Sequence, residues 1–195
     1  GRPPAALPDV VVASPQRGWK TWAAVGAAAK ARPGAFNDAS AGVGSATHMT
    51  AEKFKLQAGI DAVHVAFKGT PEALSDVIGG RNDWFFAPLS SALELIRGGK
   101  LLALAVSTPQ RSPALPQVPT TIEAGIPGSD YTFWVGMIVP SGTPAPVVKR
   151  LHDEAIKALA SAEVKERMRV LGADPFPMEQ VQFNAFIKSE MESAA

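Results

Sequence analysis

Residues 36–59 read FNDASAGVGSATHMTAEKFKLQAG, and the fold follows from how this stretch divides. Phe36 to Ser40 is a weak strand. It runs into a glycine-spaced turn, Ala41-Gly42-Val43-Gly44-Ser45, and a helix follows to about Ala58, with Gly59 as its C-terminal cap. Strand, tight turn and helix form the unit from which helix-covered parallel sheets are built.

The same alternation extends in both directions. Upstream, Val10 to Ala13 reads as a short buried strand ended by Pro15. Trp19 to Arg32 reads as a helix with Trp22, Val25 and Ala29 on one face, stopped by Pro33-Gly34. Downstream, Val63, Val65 and Phe67 alternate with His64, Ala66 and Lys68, a strand pattern. Thr70-Pro71 then opens a helix, with Thr70 expected as cap and Pro71 as first helical residue. Leu74, Val77 and Ile78 form its buried face, and Gly79-Gly80 ends it. Asp83 to Phe86 is a predicted strand, Ser90 to Arg97 a helix, and Leu101 to Ser107 an apolar strand of the kind found inside parallel sheets.

The pattern changes after about residue 130. Pro109 to Pro119 is a proline-rich connection, and Thr132 to Val139 reads as one more apolar strand. Three helices follow. The first is opened by Thr143-Pro144 and runs to Ala160, with Val148, Leu151, Ala155 and Leu159 inward. The second runs from Ser161 to Leu171 and is closed by Gly172. The third carries Phe183, Phe186, Ile187 and Met191. These apolar faces have no sheet of their own, so another segment or chain is expected to cover them.

In open α/β sheets, ligands bind beyond the carboxyl ends of the strands. Three junctions qualify. At Ser40, Ala41, Gly42, Gly44 and Ser45, glycines turn backbone amides inward, serines add hydroxyls, and a helix N-terminus adds its positive end, which together suit an anion. The turn lacks the P-loop lysine and the dinucleotide spacing, which favours a carboxylate over a nucleotide phosphate. The same residues would equally serve a tight turn with a helix cap. The second junction, Lys68, Gly69 and Thr70, repeats the strand-to-helix device; its lysine is a charge partner or simply solvated. The third is Trp84 to Ser91, with at least one of Phe85 and Phe86 expected in the core and Ala87 to Ser91 expected to border the cleft. His48, three residues after Ser45, is a structural or site-lining histidine at the first junction. A Ser45–His48 hydrolase pair is weighed against this, but no G-x-S-x-G elbow surrounds the serine. His64 and His152 have no metal-ligand spacing, so no metal and no cofactor are expected.

Composition narrows the function further. Of 195 residues, 46% are hydrophobic and 19% charged, so a core can form; the net charge of +1 gives no basic surface for nucleic acid. There is no cysteine and no apolar run of membrane-spanning length.

Taken in order, several stretches resemble the solute-binding proteins of tripartite tricarboxylate transporters, the Bug family. They are Lys30-Ala31-Arg32-Pro33-Gly34, Ser40 to Ser45 with His48, Phe67-Lys68-Gly69-Thr70-Pro71 with Gly79-Gly80, Gly99-Lys100-Leu101 to Arg111, and Leu115 to Thr120 with Glu123-Ala124-Gly125. The Pro140 to Pro144 turn and the tail from Val148 to Phe186 extend the match. The resemblance implies a two-lobed, type II periplasmic-binding α/β fold. Residues 14–130 would form the second, ligand-binding lobe; residues 1–13 and 131–195 would form crossover strands and a remnant of the first. It also implies a periplasmic protein that is no enzyme. Such a protein captures a small organic carboxylate at Ser40 to Ser45 and near Phe67 to Thr70, then passes it to membrane permease subunits. Many relatives carry an aspartate where this chain has Ala87, so an amine contact is not implied. Family chains are longer, with a βα segment before Val10. A truncated relative acting as an interaction or assembly module is therefore the alternative. A homodimer or a complementing fragment is expected to cover the first-lobe remnant.

Overall fold

A computed structural model describes residues 8–170 and 177–193. The chain divides into a larger compact unit ending at Trp134 and a smaller one beginning at Val135.

The larger unit is built on five strands: β1 (Asp9–Ala13), β2 (Asn37–Ser40), β3 (Val63–Ala66), β4 (Trp84–Pro88) and β5 (Leu102–Val106). Four helices connect them: α1 (Trp22–Ala31), α2 (Ala46–Ala58), α3 (Thr70–Ile78) and α4 (Leu89–Arg97). The strand order is β3-β2-β4-β1-β5. β2 runs parallel to β3 and β4, as the alternating pattern requires. β1 lies antiparallel between β4 and β5, with Val11 opposite Phe86 on one side and Ala105 on the other.

The sheet is therefore mixed, and among the described residues β5 is an edge strand paired with β1, with a single parallel bridge from Val106 to Thr120 on its other side. This corrects the expectation of a parallel interior for Leu101 to Ser107. An apolar run reports burial, and β5 is buried at Leu104, Ala105 and Val106. The direction of the neighbouring strand leaves no trace in the run itself.

Both faces of the sheet are covered. Alternation along each strand sends Val11, Ala13, Trp84 and Phe86 to one side, where they pack with Trp22 and Val25 of α1 and Phe54 of α2. Trp22 meets Phe54 edge-on at 4.5 Å and Trp84 edge-on at 5.6 Å between ring centroids. Val10, Val12, Phe85 and Ala87 point the other way, against Leu74 and Val77 of α3 and Leu89 and Ala92 of α4. Phe85 and Phe86 are thus both core.

Two helix starts differ from expectation. Gly69, in an extended conformation, is the residue before α3, and Thr70 is its first helical residue rather than its cap. Pro71 is accommodated because first-turn N–H groups have no intrahelical acceptor. Likewise Pro144, not Thr143, immediately precedes the next helix.

The smaller unit contains α5 (Ala145–Ala160), α6 (Ala162–Val170) and α7 (Gln180–Ser193). The strand expected over Thr132 to Val139 does not form; apart from one bridging residue, Phe133, the segment has no strand neighbour among the described residues. A strand without a partner leaves its hydrogen bonds to water, so apolar composition alone does not make one. Val135, Met137 and Ile138 stay 76%, 57% and 74% exposed. No described residue from Val135 on is buried. The expected closure of α6 at Gly172, together with Leu171, lies outside the described residues.

Candidate functional site

β2 delivers the chain to the carboxyl edge of the sheet, and α2 starts there. Two left-handed or glycine-only conformations make the turn between them, Gly42 at φ 131° and Gly44 at φ 75°. Ser45 caps α2 by accepting the amide of His48 at 3.3 Å. The Ser40 carbonyl accepts the Phe67 amide at 3.0 Å, which draws the second expected junction, Phe67 to Thr70, alongside the first. A Cβ on Gly42 would stand 3.5 Å from the Phe67 carbonyl oxygen.

The hydroxyls expected to face a ligand are turned into the loop. Ser40 Oγ accepts the Gly42 amide at 3.1 Å and lies 2.6 Å from His64 Nε2. Ser45 Oγ donates to the Gly42 carbonyl at 2.7 Å. Three loop amides are also held internally: Ala41 donates to Thr47 Oγ1 at 2.9 Å, Gly42 to Ser40, and Gly44 to His48 Nδ1 at 3.1 Å. What remains is a short row of donors at the start of α2. The amides of Val43, Ala46 and Thr47 meet no protein acceptor among the described residues. Val43 itself is 80% exposed at the tip of the loop.

The other expected residues fall out as follows. Lys68 is exposed and makes no ion pair among the described residues. Gly69 and Thr70 are half-buried at the start of α3. Ala87 is fully buried in the core beneath α3 and α4, so its side chain lines no cleft, a correction to the third junction. Residue 87 is the last but one of β4, a strand whose faces are both covered, and burial wins there over proximity to the sheet edge. His48 does not hydrogen-bond Ser45 through its ring, because Nδ1 takes the Gly44 amide. That geometry gives Ser45 no general base and removes the structural support for a hydrolase.

Charged groups behind the loop escaped the sequence reading. Lys55 Nζ, on α2, bridges the buried Asp38 at 3.0 Å and Glu52 at 2.7 Å, and donates to the Ala62 carbonyl at 3.3 Å. Burial pulls the Lys55 ammonium down, but its bonds to Glu52 and Asp38 outweigh this and raise it. Burial pushes the Asp38 carboxyl up to about 6 against the pull of Lys55. Asp9, at the start of β1, lies beside the second turn of α2: Thr50 Oγ1 donates to its Oδ2 at 2.9 Å. Burial pushes Asp9 up to about 7, opposed by that hydrogen bond. The i, i+4 spacing of His48 and Glu52 was the one legible hint of this group. Among the described residues, no three His, Asp or Glu side chains cluster as a metal site requires.

Residues 3–195 match the profile described as the tripartite tricarboxylate transporter family receptor. A relative from Pseudomonas sp. (strain P51), the UPF0065 protein in the tcbD-tcbE intergenic region, is 36% identical over 86% of the chain. The chain covers 50% of that relative, and so spans about half its length. Among solved structures, a periplasmic transporter is 33% identical, with a TM-score of 0.88 over 97% of this chain and 63% of its own. The R. palustris protein Rpa4515 with adipate is 27% identical (TM-score 0.88; 98% of this chain, 65% of that one). MatC from Rhodopseudomonas palustris with bound malate is 28% identical (TM-score 0.87; 97% and 66%).

Proposed function

We propose, since this chain belongs to the tripartite tricarboxylate transporter receptor family, that it is the solute-binding part of such a transporter and holds one carboxylate of a small organic acid at the start of α2. The family is one of receptors, not enzymes. Two of its structural neighbours hold adipate and malate, both dicarboxylates.

One observation carries the reading to this site: among the described residues the amides of Val43, Ala46 and Thr47 meet no protein acceptor where the positive end of α2 meets the carboxyl edge of the sheet. Ser40, Ala41, Gly42, Gly44 and Ser45 are the frame that holds these donors, and Gly69 and Thr70 form the adjacent wall. A carboxylate replaces the water on those amides and gains charge-assisted hydrogen bonds.

The same reading places the protein in the periplasm, with the permease subunits as recipients of the ligand. The exposed apolar residues of the smaller unit support a second copy, or a complementing segment, as its cover. A natural short relative without ligand uptake is the second reading. It rests on the same exposed apolar residues of the smaller unit.

A thermal-shift screen with di- and tricarboxylates separates the two. A ligand at 100 times its dissociation constant adds about 2.7 kcal/mol, which for a chain of this size raises the midpoint by roughly 5–11 °C. No shift with any carboxylate at saturating concentration leaves only the second reading.

A further inference from the structure

The glycine loop does not hold its shape by backbone bonds alone. Gly44 donates its amide to His48 Nδ1 at 3.1 Å. A nitrogen that accepts an amide proton carries none of its own, so the ring proton of His48 sits on Nε2. That nitrogen faces Glu52 Oε1 at 3.4 Å. Glu52 is held by Lys55, and Lys55 by Asp38 on β2. His48, Glu52 and Lys55 fall at i, i+4 and i+7, one face of α2. A chain of contacts therefore runs from the buried strand through the helix to the loop, and it favours one tautomer of one ring.

A second histidine backs the first. His64 of β3 stacks on His48 with ring centroids 3.9 Å apart and planes 24° apart. Its Nε2 reaches Ser40 Oγ, the acceptor of the Gly42 amide. Two of the three inward amides of the loop thus end on the histidine pair, Gly44 directly and Gly42 through a serine, while Ala41 ends on Thr47. Burial holds His64 below the ordinary histidine range, with His48 and Lys55 adding to the depression and Glu52 opposing it.

We propose that His48 is a positioning residue of the carboxylate site: as the Nε2–H tautomer it ties the Gly44 amide inward, and this holds Val43, Ala46 and Thr47 outward. The proposal rests on the reading of the loop as the carboxylate site, and it deepens that reading by giving His48 a role other than ligand contact. The two roles differ in sign. Protonation of Nδ1 removes the acceptor for Gly44 and loosens the loop, so affinity for a dicarboxylate falls on acidification. A histidine that touched the carboxylate would bind it more tightly once charged. The groups facing the His48 ring are His64, Glu52 and, behind Glu52, Lys55 and Asp38.

The test measures malate and adipate affinity from about pH 8 to about pH 5, the range over which histidines titrate, in three proteins. In His48→Asn the side-chain oxygen stands near the Nδ1 position and accepts the Gly44 amide at any pH in that range. In His48→Phe the ring remains without an acceptor. The expected result is weakening on acidification in the wild type, near-wild-type affinity with a flattened pH profile in His48→Asn, and about tenfold weaker binding in His48→Phe, the weight of one hydrogen bond. Wild-type affinity in His48→Phe, or an acid-strengthened wild-type profile lost in His48→Asn, overturns the proposal. Nitrogen-15 spectra judge it without any ligand. The wild type should show the Nε2–H tautomer at His48 and a Gly44 amide protected from exchange, with protection kept in His48→Asn and lost in His48→Phe. An unprotected wild-type Gly44 amide sinks the proposal even if carboxylates bind. Absence of carboxylate binding with the protection pattern intact sinks the site reading instead.

Discussion

At the residue scale, Gly42 and Gly44 do different work although both have positive φ. A Cβ on Gly44 meets nothing within 4 Å, so substitution costs only left-handed backbone strain, about 1–2 kcal/mol. Gly42, at φ 131°, lies outside even the left-handed region that other residues occasionally visit, while a Cβ there would make only ordinary contact with the Phe67 carbonyl oxygen at 3.5 Å. Gly42→Ala is therefore expected to destabilise more than Gly44→Ala in urea unfolding. Gly44→Val should abolish carboxylate binding while the fold stays intact, because its side chain projects from the loop. The glycine spacing, Ser45 as cap and His48 beside the loop were all legible, since each is local. The inward turn of the Ser40 and Ser45 hydroxyls was not, because it depends on His64 and Thr47, whose proximity only the folded sheet and helix create.

Asp9 gives a pH prediction of its own. Its folded pKa, about 7, stands above the ordinary 3.8. Its contribution to stability is thus fully present below 3.8 and is lost as pH rises through about 7. Asp38, raised to about 6, acts in the same direction over a narrower window. Urea midpoints measured across this range should fall with rising pH, and Asp9→Asn should flatten the slope. An unchanged slope would mean that Asp9 is solvated or paired in solution.

At the element scale, each helix and strand up to β5 was visible in sequence because its pattern reports burial. Val10 to Ala13 was readable as a strand, yet nothing local could place it antiparallel between β4 and β5. Thr132 to Val139 failed for the complementary reason. Its β-prone residues lack a neighbouring strand in the described chain, and pairing is what makes a strand. The apolar face of α5 has the same origin: the periodicity at Val148, Leu151, Ala155 and Leu159 is real, but α5 has no buried residue. Leu151→Lys should accordingly change stability by less than about 0.5 kcal/mol, as expected of an exposed position. It should also lower the binding of a hydrophobic dye. Light scattering at micromolar concentration is expected to show association, reduced in Leu151→Lys. A dispersed, dye-free monomer would mean that this face closes on itself.

At the scale of the whole molecule, the parts agree on one design. A mixed sheet with both faces covered carries a rigid glycine loop at the carboxyl edge of β2 and backs it with buried charge. The central claim is that the amides of Val43, Ala46 and Thr47, which meet no protein acceptor among the described residues, receive a carboxylate. The most direct measurement is an amide nitrogen–proton titration of the chain with malate and with adipate. The account predicts saturable shifts, largest at the Val43, Ala46 and Thr47 amides, with Gly44 moving little because His48 holds it. Saturable binding that leaves those three amides unmoved while others shift would contradict it.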